Sequence, residues 1–321
     1  MATPAATMVM NRVLRHESIL GVLLIAALIV LAGQSEHFWT ADNLLNQGRL
    51  MGEVALIALP MTFVIVTGGI DLSVGSIVGL CVILLGVFWQ KVGMPLPLAM
   101  LGAVVVGTIA GLGNGFIITR FKVPPLIATL ATLALYRGLA EGISQARSVR
   151  GYPEWFFVLG QGDVLGVPTQ LWILVIFFII AAFILGVTTF GRTTYAIGSN
   201  EVAARFSGLK VDRAKMLIYG ASGLVSGIAA VILVSRVSTT RSDMGTGYEL
   251  DVITAVVLGG TSIFGGRGTI IGTGLGLILM QALKNGLALS GVKGDGTIVV
   301  IGAVLIAAIL IGNLLSRNGD G

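Results

Sequence analysis

Few side chains in this sequence could do chemistry, and the ionisable candidates for burial in the membrane are three acids, Asp71, Glu249 and Asp251, with Arg137 as a lone basic companion. An ionisable group at bilayer depth marks a solute path, a proton relay or a broken helix. A relay needs a connected set, and four scattered groups do not supply one. The only histidines, His16 and His37, stand outside the apolar runs, and Cys81 is the only cysteine. No Ser/His/Asp set, metal cluster or two-histidine metalloprotease helix can be assembled inside a membrane from these. Cys81 has no partner for an internal disulfide and reads as a small buried hydrophobe. No GxxxxGK[ST] phosphate loop is present, so this chain does not hold ATP in the usual way. The expectation is therefore no catalytic residue, no metal ligand and no cofactor.

Gly68-Gly69-Ile70-Asp71-Leu72-Ser73 is the first place where an acid interrupts an apolar run. Two glycines lower helix propensity, so a break or turn is expected there. Two readings stand: Asp71 and Ser73 shape a hinge or line a path, or they accept hydrogen bonds from free amides at a helix N-terminus. Glu249 and Asp251 carry the same ambiguity, either capping a short helix or meeting an extracytoplasmic partner.

The elements that must position these groups are apolar. Of 321 residues, 35 are charged, which is 11% against about 25% in ordinary soluble domains. Hydrophobic residues are 55%, and there are 46 glycines. Disorder is excluded, because disordered chains are charge-rich and poor in aliphatics. Ten stretches lack Asp, Glu, Lys and Arg altogether: 18–35, 54–70, 72–90, 92–119, 123–136, 164–191, 216–235, 252–266, 268–283 and 296–316. A membrane helix needs about 20 mainly apolar residues, so the fold class is an all-α polytopic membrane protein of about ten segments. The stretches at 123, 252 and 268 are short and read as tilted, broken or re-entrant. Glu36-His37-Phe38-Trp39 follows the first run in place of a cleavage site, so that run is kept as a span. Counting crossings from a cytoplasmic N-terminus puts 11 basic residues inside and 8 outside, the sign expected of cytoplasmic loops.

Gly69 to Val74 resembles Gly247 to Val252, and Gly107 to Leu112 resembles Gly272 to Leu277. The offsets pair stretch three with eight and four with nine, which makes the repeat unit five spans. An odd unit inverts the second copy, giving a five-plus-five inverted repeat of the kind found in transporters. Asn114, which follows the second motif, joins Gly68, Gly69, Asp71, Ser73, Glu249 and Asp251 as a candidate for the path or hinge. Small residues four apart, such as Gly107, Gly111 and Gly115, or Gly223 and Gly227, read as close helix packing in lipid.

The most distinctive polar segment is Gly191 to Lys215, with five basic residues. Ser199 or Asn200 can cap a short helix with Glu201 in its first turn, and Gly208 can stop it. Ala203 and Ala204 would then lie on its surface; an ordinary solvated loop is the alternative. In the long segment Gly142 to Thr169, Tyr152, Trp155, Phe156 and Phe157 read as an interfacial anchor, with docking of an outer partner as the second reading.

Four blocks occurring in order carry a family resemblance: Phe38 to Asn46, Val64 to Ser76, Gly191 to Leu209 and Gly245 to Thr273. From about Ser18 to Leu315 the chain resembles permease subunits of bacterial ABC sugar importers, the ribose, xylose, arabinose, rhamnose and autoinducer-2 group. Ala58 to Val66 and Arg241 to Gly245 look most like the rhamnose and autoinducer-2 branch. Tyr248-Glu249 and Ser199 depart from what relatives often carry, without removing a functional group. The resemblance implies an architecture similar to the vitamin B12 importer. It implies one transmembrane domain (18–315) between a cytoplasmic segment (1–17) and a cytoplasmic tail (316–321), in the bacterial inner membrane. The implied partners are an ABC ATPase that binds ATP and Mg, a second permease of the same or a related kind, and a periplasmic sugar-binding protein; no nucleic acid is expected. The implied ATPase contact is the loop at 191–215, through Gly198, Asn200, Glu201, Ala203, Ala204, Arg205 and Gly208. The competing class is an ion-coupled secondary transporter of a small polar solute.

Overall fold

The computed structural model describes residues 38–292 and 296–303 without a break, with residues 21, 24, 25, 28, 29, 33, 294 and 306 besides. The stretch at 18–35 and the far half of 296–316 lie largely outside the described residues.

Helix α1 (Ala41–Val66) starts where Thr40 accepts a hydrogen bond from the Asn43 amide, with Asp42 in the first turn, both favourable at a helix N-terminus. After a break, α2 (Val74–Gly86) runs on through a π-helical turn, Val87–Lys91. Next come α3 (Leu96–Arg120) and α4 (Pro125–Ser144), each with proline in the first turn, where its missing N–H costs nothing. A 3-10 turn (Glu154–Phe157) and the short α5 (Val158–Gln161) lead to a hairpin of β1 (Asp163–Val164) and β2 (Val167–Pro168). It is antiparallel, with Asp163 opposite Pro168. Then follow α6 (Thr169–Val187), α7 (Thr189–Ser199), α8 (Glu201–Phe206), α9 (Val211–Val237), α10 (Tyr248–Leu258) and α11 (Ile270–Leu289).

Among the described residues, seven helical segments are long and apolar enough to cross a membrane: α1, α2 with its π turn, α3, α4, α6, α9 and α11. Two of the three short stretches are corrected by this. The one at 123 grows into the 20-residue α4 by absorbing Arg137 and Glu141, and the one at 268 grows into the 20-residue α11 by absorbing Lys284. A charge-free window underestimates a helix whenever its end carries a charge that finds a protein partner. The stretch at 252 is broken as expected: α10 has 11 residues and gives way to a glycine-rich turn.

The core is built on α1 and α9. From Gly52 to Val66 every residue of α1 is buried, and α9 is buried along most of its length. Helices α3 and α9 touch backbone to backbone: a Cβ at Gly111 would overlap the Tyr219 carbonyl, and one at Gly107 would meet the Gly223 carbonyl at 2.6 Å. This is the close approach that small-residue spacing allows in lipid. Helices α3, α4 and α6 turn apolar residues such as Ile109, Leu130 and Ile179 outward, as spans facing hydrocarbon must.

Two ends can be told apart, one carrying α7 and α8 and the other the β hairpin. The start of α2 and the start of α10 meet in the interior, where Gly75 lies against Gly245 and Glu249. From there α2 runs toward the hairpin end, reaching Val149 and Thr240 at Gly86, while α10 runs the opposite way until Gly259 meets Gly272. The aromatic segment at the hairpin end differs from the sequence expectation. Tyr152 and Phe156 are buried, Tyr152 stacks on Trp89 at 4.5 Å, and only Trp155 is largely exposed. Two of the four rings therefore fill the core rather than float at an interface.

Candidate functional site

The polar segment at 191–215 is almost wholly helical. Thr188 accepts from the Gly191 amide to start α7, and Asn200 accepts from the Ala203 amide to start α8. Gly208 takes φ +81° and turns the chain into α9. Glu201 accepts from Arg205 at 2.8 Å and from Lys215 at 2.5 Å; Arg205 also reaches Asp212, which is 3.3 Å from Lys122. Partial burial works against the Glu201 charge, but the hydrogen bonds and charges of Lys215 and Arg205 outweigh it and hold its carboxyl below the ordinary glutamate range.

This network decides which face of α8 is free. Ala204, expected on the surface, is buried with Ile197, Val211 and Ala214, because the Glu201 and Arg205 ion pairs roll that side of the helix onto α9. Glu201 and Arg205 are likewise engaged within the chain. Ala203 is exposed as expected, and beside it are Val202 and Phe206, the last at 89%. Sequence reasoning missed Val202 and Phe206, although an aromatic side chain in so polar a loop was the available signal.

Gly198 is half-buried and packed closely on one side. A Cβ there would overlap the carbonyl of Val66, the last residue of α1, and the amide of Gly266. The Gly266 amide donates to the Val66 carbonyl at 2.9 Å, and the Tyr195 hydroxyl donates to the Gly268 carbonyl at 2.6 Å. Helix α7 is thus pinned to the two broken regions, 67–73 and 259–269.

The first of these breaks holds the buried polar core. One Asp71 oxygen accepts from the Ser73 amide at 3.0 Å and the Ser73 hydroxyl at 2.6 Å, and the other accepts from the Ser222 hydroxyl at 3.1 Å. Asn114 donates to the Ser73 hydroxyl at 2.7 Å, and Thr129 donates to the Ile70 carbonyl at 3.1 Å. Asp71, Ser73, Asn114 and Ser222 are fully buried. Ser73 occupies the cap position of α2 without capping it: its hydroxyl donates to Asp71 and its oxygen accepts from Asn114 rather than from a helix amide. Of the two sequence readings, simple capping by Ser73 therefore does not hold. Gly68 takes φ +76°, and a side chain at Gly69 would strike the Tyr219 hydroxyl. That hydroxyl and the Asn114 carbonyl oxygen are buried without a hydrogen-bond partner among the described residues.

Glu249 and Asp251 open α10 but go separate ways. Glu249 folds back to the Gly247 amide at 3.3 Å and packs against Gly75, whereas Asp251 pairs with Lys284 of α11 at 2.7 Å. Arg137 from α4 donates to the carbonyls of Ser242 and Met244, clamping the chain that precedes α10 onto α2. A further ion pair was missed: Arg236 of α9 and Glu53 of α1 meet at 2.8 Å, with Glu53 fully buried. Each borders a charge-free stretch in the sequence and so looked like an end marker.

Comparison with known proteins places this arrangement. Residues 43–309 match the family described as branched-chain amino acid transport system / permease component. The chain is 42% identical over 294 residues to the ribose import permease protein RbsC of Bacillus subtilis (strain 168), covering 91% of this chain and 90% of that one. It is 38% identical over 309 residues to RbsC of Escherichia coli (strain K12), covering 94% of each. It is 40% identical over 263 residues to the autoinducer 2 import system permease protein LsrD of Escherichia coli O9:H4 (strain HS), covering 80% of this chain and 79% of that one.

Proposed function

The chain belongs to this family of import permeases, specifically to those of sugar ABC importers, and we propose that it carries a monosaccharide or related small polyol inward across the bacterial inner membrane. The drive is ATP hydrolysis in a partner subunit. The end carrying α7 and α8 is cytoplasmic, with both termini on that side, and the hairpin end receives a periplasmic sugar-binding protein. Two permeases, alike or related, form the membrane unit, each with ten segments in an inverted five-plus-five layout resembling the vitamin B12 importer. Supporting the inversion, α2 and α10 start together and run to opposite ends.

The observation that carries the reading is the braced helix α8. A partner that changes shape on binding nucleotide needs a lever that does not bend. The ion pairs from Glu201 and Asp212 hold α8 to α9 and leave Val202, Ala203 and Phe206 free as the apolar contact. Gly198, packed on Val66 and Gly266, passes movement of α7 to both broken regions. There the Asp71 core and the α2–α10 junction can exchange between outward- and inward-open packings. The ATP-bound partner supplies the differential contact that such a shift requires.

The test is uptake in proteoliposomes containing the permease, ATPase and binding protein. Transport is expected only with hydrolysable ATP inside and to survive a protonophore. Transport that persists without the ATPase and collapses with the protonophore would overturn the reading in favour of an ion-coupled carrier. The fully buried Asp71, which has no cationic partner within 4 Å among the described residues, would then be the group to examine first.

A further inference from the structure

Between α1, α10 and α11 lies a cavity of about 340 Å³, within the roughly 300–1,000 Å³ of small-molecule sites. Its polar wall consists of Gln47, Tyr248, Asp251, Gln281, Lys284 and Asn285, and every other lining residue is apolar. The carboxamides form a chain: Gln281 donates to Gln47 at 2.6 Å, and Gln47 donates to Asn285 at 2.9 Å and to Asn43 at 3.3 Å. Both Gln47 amide protons are thereby used. Gln281 keeps its carbonyl oxygen and one amide proton, and Asn285 keeps its amide group, without a partner among the described residues. Asp251 and Lys284 neutralise each other at 2.7 Å, so the formal charges lining the cavity cancel.

The geometry points to this cavity as a binding site for a neutral polyhydroxylated solute, a stopping place within a single permease chain on the way across. Carboxamides both donate and accept, as sugar hydroxyls do. The aliphatic lining suits the C–H faces of such a ring, and Tyr248 adds an aromatic one. The cancelled charge gives no excess attraction for an anion such as a sugar phosphate. Asp251 was singled out in the sequence, but its cavity partners come from α1 and α11, 197 to 204 residues upstream and 29 to 37 residues downstream.

This inference rests on the import function proposed above, so the assay separates the two. Wild-type complex in proteoliposomes is offered D-ribose, D-xylose, L-arabinose, L-rhamnose and autoinducer-2, and the solute carried fastest becomes the probe. If none is carried with ATP, the import function falls and this site with it. If one is carried, Gln281→Cys is made in a Cys81→Ala background and labelled with a small methanethiosulfonate reagent. The probe at saturation is expected to slow labelling at least threefold, and inorganic phosphate at the same concentration to leave it unchanged. A clamp that merely holds helices together would show no such protection. Labelling that the probe does not slow would overturn the site while leaving the import function standing. Should the cysteine variant fail to assemble or label, Gln47→Ala and Asn285→Ser decide. Each is expected to cut uptake about tenfold at unchanged stimulation of the ATPase by the binding protein, and undiminished uptake overturns the site.

Discussion

The acids of the α7–α8 loop and the acids of the helical core are the same two residue types held in opposite ways. In the loop Glu201 and Asp212 each share two bases, and every member of the network keeps some contact with solvent. In the core Glu53 has one base, Arg236, and Asp71 has only hydroxyls and an amide. The loop is redundant and backed by water, so losing one partner leaves alternatives. The core is neither, and an uncompensated polar group there has nowhere to turn. The difference matches the proposed division of labour: the loop must be stiff yet open to a partner, while the core must settle into discrete packings.

Substitutions can break or sharpen that contrast. Arg236→Met should have the largest effect, about 3–5 kcal/mol of destabilisation, because Glu53 would be left buried and alone. Thermal unfolding of the solubilised complex measures it, and adding Glu53→Gln should recover part of the loss. Asp71→Ala should follow, at about 1–3 kcal/mol, since the Ser222 and Ser73 hydroxyls lose their acceptor; Asp71→Asn, which keeps one acceptor oxygen, should cost less. If either change proved as mild as one in the loop, the distinction between the regions would fail.

Glu201→Gln should cost only about 0.2–1 kcal/mol, because Asp212 still holds Arg205. Its mark should be on coupling, with ATP hydrolysed per solute imported rising as α8 loosens. The same residue sets a pH dependence. Its carboxyl is held below the ordinary glutamate range in the folded chain, so its stabilising contribution is fully present above that range and is lost as pH falls through the lowered value. Protection factors for amide exchange across residues 191–215, with the intrinsic pH dependence of exchange divided out, should therefore stay flat from pH 8 to about 5 and fall only in stronger acid. Phe206→Ser should have the smallest effect on folding, within about 0.5 kcal/mol, yet co-purification of the ATPase should drop. Retained co-purification and unchanged uptake would remove Phe206 from the contact.

What could be read early follows the physics of each signal. Charge-free runs locate helices because a charge at bilayer depth is costly, and α1, α2, α3, α6 and α9 all overlap such runs. The same signal located α4 and α11 but cut them short, since Arg137 and Lys284 are inside helices because carbonyls and Asp251 receive them. Gly68-Gly69 announced a break, and Asn200 and Gly208 announced the bounds of α8. The face of α8 was not legible, since Ala203 and Ala204 are identical in type and only the ion pairs to Lys215 and Asp212 choose between them.

Local chemistry therefore belonged to the sequence by itself: a mainly helical membrane chain, the break before Asp71, the helix at 201–206 and the likeness to importer permeases. Each depends on propensity, hydropathy or motif, which act between near neighbours along the chain. Only the tertiary structure decided that Asp71 meets Ser222, that Glu53 meets Arg236, and that Gln47 joins Gln281 and Asn285 around one cavity. Those pairs are separated by 151, 183 and more than 230 residues. What brings them together is the backbone approach of glycine-lined helices and the cost of leaving a polar group unpaired away from water.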